Sequence, residues 1–399
     1  MSRSIPALAR RVLVVVAAAA LLAPAASAQA ATHSTAPAGL RFYTPPSPLP
    51  AGRHGDVIWS RTITGPAALA HGARTLLVLY RSTALNGRPI AVSGTVTIPK
   101  GTPPRGGWPI VSWAHGTTGS ADVCAPSRDA QSNPAHAYIS YVNPVLDGWL
   151  RRGYVIARTD YEGLGTPGPH PYLIGHSEGR GVLDIARAAR QLDPRVGRRL
   201  VVAGHSQGGQ AALFAAADAP TWTPDLRLRG VAAFAPASNI AGEVAAAKLL
   251  TAPSGLSGLG GMILDSAVRA AGIDPASVAS PAAVALLPQV QQKCLPQLSA
   301  ADSWGALAPA SIIRDDADLT KLDTVLNAMD PTLKISAPVL LMQGTNDTTV
   351  FKSFTDALDT RLVAKGDTVT YTPYQGVDHG GIVTAGAGQT ATWLAQRLG

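Results

Sequence analysis

A chain of 399 residues, 46% of them hydrophobic, is long enough for a large core and even for two domains. It has 33 basic and 25 acidic side chains, a formal charge of +8, but the basic residues are scattered, without a run or interleaved aromatics, which argues against a nucleic-acid partner. With no C-x-x-C and no H-E-x-x-H there is no sign of a redox motif or a metal site, and no cofactor is expected.

Residues 1–30 read as a secretory signal peptide. Arg3, Arg10 and Arg11 form a positive start, Val12 to Ala25 an apolar stretch, and Ala26-Ser27-Ala28 and Ala28-Gln29-Ala30 two small-residue cleavage sites. The Arg10-Arg11 pair hints at twin-arginine export, but its flanks fit the general route better. The apolar run is short for a membrane span, and no later segment approaches one, so the expectation is a secreted, extracellular protein. Removing residues 1–30, which hold three arginines and no acid, lowers the formal charge from +8 to +5. The two cysteines, Cys124 and Cys294, stay in the exported chain, where one disulfide is the default.

Residues 31–55, rich in Pro, Ala, Thr and Ser, read as a linker or a segment draped on the surface. Strands are expected at Thr75–Ser82 and Ile90–Ile98, joined through Asn86-Gly87, a hairpin signal. A short apolar run, Pro109–Ala114, ends in His115-Gly116-Thr117-Thr118-Gly119. A helix over Ala137–Arg152, a strand over Tyr154–Arg158, the loop Asp160–Gly165 and a helix over Val182–Leu192 follow. After the serine unit described next come a strand at Gly230–Phe234, a long Ala/Leu/Gly/Ser-rich stretch with helical runs at Gly242–Leu250 and Met262–Ala271, then Pro338–Gln343 (strand), Phe351–Val363 (helix), Thr368–Tyr374 (strand) and Thr390–Leu398 (helix). Such alternation means a mostly parallel α/β sheet with an antiparallel hairpin at its start. The expected division is 56–238 and 336–399 for the two parts of the core, with 239–335 as a helical insertion.

The centre of this pattern is Gly204-His205-Ser206-Gln207-Gly208, preceded by the apolar run Leu200–Ala203 and followed by small residues suited to a helix. G-x-S-x-G between a strand and a helix is a nucleophile elbow, with the serine on a strained turn and glycines where strand and helix pass closely. A second match, Gly175-His176-Ser177-Glu178-Gly179, follows Pro169-His170-Pro171, which no interior strand would contain. Ser177 therefore reads as an N-cap or turn residue, and Ser206 as the nucleophile.

A serine hydroxyl needs a base, and the base needs a partner that fixes its tautomer. His379 is the one histidine after Ser206 and sits in Gly376–Gly381, past a strand. Asp347 lies at the carboxyl end of the Pro338–Gln343 strand, where catalytic groups gather in open parallel sheets. Asp378, adjacent to His379, is badly placed to bond that ring and suits a turn. For the oxyanion hole, the main-chain N–H of Gln207 is one donor and that of Thr117, after Gly116, the second, with a further bond open to the Thr117 hydroxyl. His115 reads as a residue that holds this loop.

Taken together, the Ala114–Gly119, Asp160–Gly165, Val182-Leu183-Asp184 and Gly204–Gly209 stretches and the Asp347 and His379 loops resemble the secretory lipase family of lipase-A-like enzymes, within the α/β-hydrolase superfamily. The resemblance runs from about residue 75 onward. It implies an α/β-hydrolase fold, a mostly parallel sheet flanked by helices with an inserted helical cap. It also implies hydrolysis of carboxylic esters, often of acylglycerols, and a disulfide between the oxyanion region and the cap, matching Cys124 and Cys294. A second family disulfide has no counterpart here. The expected partner is a small-molecule or lipid ester with apolar acyl groups, met in passing at a lipid interface. A serine peptidase or acyltransferase on the same scaffold, or a non-catalytic binding protein, remain the alternatives. The cap is expected to wall the acyl chain, with the glycine-rich Pro253–Gly261 run as its mobile part and Leu256 and Leu259 facing the substrate.

Overall fold

β-Branched and apolar runs bounded by glycine and proline give nine strands of one sheet in this computed structural model, which describes residues 1–2 and 36–399. Apart from its first two residues, the expected signal peptide lies outside the described residues. The strands are β1 (Val57–Ile63), β2 (Arg74–Thr83), β3 (Pro89–Ile98), β4 (Trp108–Ala114), β5 (Val155–Thr159), β6 (Val196–His205), β7 (Arg227–Phe234), β8 (Val339–Gly344) and β9 (Val369–Tyr374). Their order is β1-β2-β3-β5-β4-β6-β7-β8-β9. The first three and β5 pair antiparallel; from β5 through β4 to β9 every pairing is parallel. β4, β5 and β8 are buried along their whole length, as expected of strands covered by helices on both faces.

The helices are α1 (His136–Ser140), α2 (Asn143–Arg151), α3 (Gly175–Leu192), α4 (Gln207–Trp222), α5 (Ile240–Ala247), α6 (Leu256–Ala271), α7 (Pro281–Val290), α8 (Leu295–Leu298), α9 (Thr320–Ala328), α10 (Lys352–Ala364), α11 (Gly381–Ala385) and α12 (Ala387–Leu398). Residues of α3, α4 and α10 pack with one face of the sheet, and those of α2, α11 and α12 with the other. The single helix expected over Ala137–Arg152 is broken between α1 and α2, where Pro144 begins a new first turn. β1, whose residues carry no strong sequence signal, is an addition to the expected strands. The 36–55 segment is held by Phe42, which is fully buried against Trp59, Leu77 and Leu79. Burying such a side chain contributes about 1.5–3 kcal/mol.

Between β7 and β8 the chain leaves the sheet and builds its own apolar cluster from α5, α6, α7 and α9, with Met262, Leu264, Trp304 and Leu326 buried. Here the structure corrects the reading of Pro253–Gly261. From Leu256 onward this run is helical, the start of α6. Its glycines serve close packing: a Cβ on Gly261 would come within 2.5 Å of the Trp304 ring, and one on Gly260 within 2.7 Å of Ile312. Leu256 and Leu259 are half-buried. Among the described residues no helix is long and apolar enough to cross a membrane.

Candidate active site

The site lies where β6 ends. Ser206 has φ 59° and ψ −121°, a conformation that costs an L-residue of order 1–3 kcal/mol and persists only when neighbours enforce it. They do: its N–H donates to the Phe234 carbonyl at 2.9 Å, and its carbonyl accepts from Ala237 and Gln210, both at 3.1 Å. The two flanking glycines are required sterically. A Cβ at Gly204 would lie 2.1 Å from the Gly208 oxygen, and one at Gly208 would lie 2.0 Å from the Ala114 oxygen. Residues with side chains could not bring β4, β6 and α4 this close.

The strands that follow deliver the partners. His379, past β9, brings Nε2 to 2.9 Å from Ser206 Oγ and Nδ1 to 2.7 Å from Asp347 Oδ2. Asp347, past β8, also accepts from the Thr349 and Val350 N–H groups at 2.8 and 2.9 Å and from Gln343 Nε2 at 2.9 Å. Burial raises its pKa, but the bond and charge of His379 and these two amides outweigh burial and hold the carboxyl below its ordinary range. It is thus charged at neutral pH and fixes His379 Nδ1 as the protonated nitrogen, leaving Nε2 free to take a proton. Asp378 instead accepts from the Gly381 N–H at 2.7 Å, closing the turn that starts α11.

Gln207 is the first residue of α4, so its N–H has no partner in the helix ladder and lies at the positive end of the helix. Thr117 is buried; its hydroxyl pairs with Tyr172 OH at 2.8 Å. Gly116 is packed so closely that a Cβ would lie 2.1 Å from Tyr138 OH. His115 Nδ1–H donates to the Gly116 carbonyl at 2.7 Å, and burial depresses its pKa to about 4, so it is a neutral brace. The loop is also tied to the residues beyond β7: Cys124 and Cys294 form a disulfide, Gly119 bridges Cys294, and Leu295 N–H donates to the Thr118 carbonyl at 2.9 Å.

Two buried titratable residues near the site escape a reading of the sequence. His205, beside the nucleophile, is fully buried. Its Nε2–H donates to the His379 carbonyl at 2.8 Å and Tyr141 OH donates to its Nδ1 at 2.7 Å. Burial, with His379 beside it, holds it well below an ordinary histidine pKa, so it is neutral and its ring ties down the His379 backbone. Glu243 on α5 has a buried Oε1 with no partner among the described residues; burial first, and Asp347 second, push its pKa up to about 8. Ser177 lies inside the first turn of α3, with an ordinary backbone, and donates to Glu162 Oε2 at 2.5 Å. No group of three or more His, Cys, Asp or Glu among the described residues could hold a metal ion.

This chain matches known proteins over the same region. A family model of secretory lipases fits residues 138–399. A lipase A of Moesziomyces aphidis is 29% identical over 198 residues, 47% of this chain; the match spans only 41% of that lipase's length. A probable inactive lipase of Mycobacterium tuberculosis is 25% identical over 374 residues, 90% of this chain and 81% of the relative. Among solved structures, Candida antarctica lipase A in its closed state superposes with a TM-score of 0.76 at 21% identity, covering 90% of this chain and 85% of that one. At that identity the superposition speaks for the α/β-hydrolase fold.

Proposed function

Because the chain belongs to the secretory lipase family, we propose that it is a secreted serine hydrolase of carboxylic esters with apolar acyl groups. Ser206 is the nucleophile, His379 the general base, Asp347 its orienting partner, and the Gln207 and Thr117 N–H groups the oxyanion hole. The observation that carries this reading is the relay of 2.9 Å and 2.7 Å from Ser206 through His379 to Asp347. One relative bears the name of an inactive lipase; the three hydrogen-bonded groups here argue for an active one.

In the reaction Ser206 Oγ attacks the ester carbonyl carbon as its proton passes to His379 Nε2. The negative oxygen settles against the two N–H donors. His379 then returns the proton to the departing alcohol, leaving an acyl-enzyme. A water molecule, deprotonated by His379, attacks in turn, and the acid leaves as Ser206 regains its proton. The α5–α9 block, inserted directly after β7, supplies apolar surface over the carboxyl ends of the strands, the place for the acyl group. Leu249, 81% exposed, and its neighbour Leu250, between α5 and α6, are the contact with a lipid surface.

Hydrolysis of p-nitrophenyl esters of rising acyl length, with labelling by a fluorophosphonate, tests the reading. Ester turnover with a single labelled site at Ser206 is expected. A chain that labels but cleaves only peptides would be a peptidase, and one that neither labels nor hydrolyses would be a binding protein.

A further inference from the structure

The second glycine-flanked serine motif, Gly175–Gly179, has no part in the relay, yet its Glu178 is fully buried behind the nucleophile elbow. Glu178 Oε1 accepts from the Leu173 N–H at 2.9 Å and from Gln207 Nε2 at 2.7 Å. Gln207 Nε2 also donates to His170 Nε2 at 3.0 Å, and His170 Nδ1–H in turn donates to the Glu162 carbonyl at 2.8 Å. A primary amide nitrogen has two hydrogens, and both are committed here. The Gln207 side chain is therefore gripped on the α3 side, and only the main-chain N–H of this residue is left for substrate.

We propose that Glu178 and His170 are positioning residues for the oxyanion hole, clamping Gln207 from behind so that its main-chain N–H stays aimed at the substrate oxygen. The clamp rests on the reading of Ser206 and Gln207 given above. It also works only with a neutral Glu178, because a carboxylate in the same apolar region would oppose the charge that develops on the ester oxygen. The surroundings favour neutrality. The groups facing Glu178 are the Tyr161 and Tyr172 phenols, the Gln207 amide and His170, which burial holds to about 4 and hence uncharged. Among the described residues Glu178 Oε2 has no partner, and the cations Arg88 and Arg180 bear on Glu162 instead. Burial raises Glu178 to about 8, above the range in which an ester hydrolase would work at neutral pH.

The test compares Glu178→Gln and Glu178→Ala with the wild type on a soluble short-chain ester from pH 6 to 10. Glu178→Ala should lower kcat about tenfold or more with KM unchanged, a fraction of what losing a whole oxyanion donor costs. Glu178→Gln, which keeps the acceptor oxygen without a titrating proton, should retain kcat within about threefold at pH 7 and lose the fall in kcat expected of the wild type above about pH 8. Glu243, raised to about 8 as well, is controlled by Glu243→Gln, which should leave that fall in place. Stability gives an independent readout. Folded Glu178 keeps its proton up to about 8 whereas the unfolded chain loses it near the ordinary 4.5, so the wild type is stabilised less and less as pH rises through that window. Glu178→Gln should flatten this slope. If Glu178→Ala does not fold, Glu178→Gln carries the test alone. A wild-type alkaline fall kept in Glu178→Gln, no such fall in the wild type, or wild-type kcat in a folded Glu178→Ala would overturn the clamp while leaving the triad standing. A wild type that neither hydrolyses esters nor reacts with a fluorophosphonate would overturn both.

Discussion

The chain contains the pattern G-x-S-x-G twice, and the two copies fold oppositely. In Gly204–Gly208 the serine sits at φ 59° between a strand and a helix, its hydroxyl on His379. In Gly175–Gly179 the same letters form the first turn of α3, and the serine hydroxyl is spent on Glu162. Their glycines differ in purpose as well. Gly208 lets a turn pass under β4, whereas Gly179 lets α3 approach α4, since a Cβ there would lie 2.8 Å from the Ala215 nitrogen. A five-residue pattern therefore carries chemistry only through the elements on either side of it, and one copy here supports the other.

The comparison can be broken most sharply at the two serines. Ser206→Ala should abolish fluorophosphonate labelling and lower kcat about 10⁶-fold, the scale seen when a triad nucleophile is removed. Ser177→Ala should leave labelling and kcat nearly intact and lower only stability, by about 1–3 kcal/mol in a urea titration, because Glu162 loses a buried donor. The reverse outcome would exchange the roles of the two motifs. Asp347→Asn should cost about 10⁴-fold in kcat by presenting the wrong imidazole tautomer, with little change in KM. Normal turnover in that variant would point to another acid. Replacing Cys124 and Cys294 by Ser opens a crosslink between residues 170 apart in sequence and should cost about 3–5 kcal/mol of stability. An unchanged denaturation midpoint would mean the bond adds nothing to the fold. The smallest effect is expected from Leu249→Ser with Leu250→Ser: a few-fold loss on emulsified long-chain esters and none on soluble acetate esters. An equal loss on both would remove these leucines from the lipid contact.

Most of the sheet was legible because its strands are short apolar runs separated by helical periodicity, and the relay was legible because chain order leaves one histidine after Ser206. Other features depend on contacts that no local pattern encodes. α3 begins seven residues before its apolar periodicity does, because three of its first seven residues are glycines whose use is visible only once α4 lies beside Gly175 and Gly179 and Thr159 beside Gly181. The glycines of α6 mislead for the same reason: with Trp304 and Ile312 absent from view they read as a flexible run. His205, His170 and Glu178 support the site through atoms more than 28 residues away in sequence. The one available hint was the place of Glu178 inside the second G-x-S-x-G.

The disulfide encloses the stretch from Cys124 to Cys294, which includes Ser206 and Gln207, while Asp347 and His379 both lie beyond it on the turns after β8 and β9. Those two strands add in sequence at one edge of the sheet. Synthesis proceeds from the N-terminus, so the stretch that holds Ser206 and both cysteines is made before the segments that carry Asp347 and His379. On the roles proposed for these residues, reactivity waits for β8 and β9, and a chain cut short before them would hold Ser206 with nothing to take its proton.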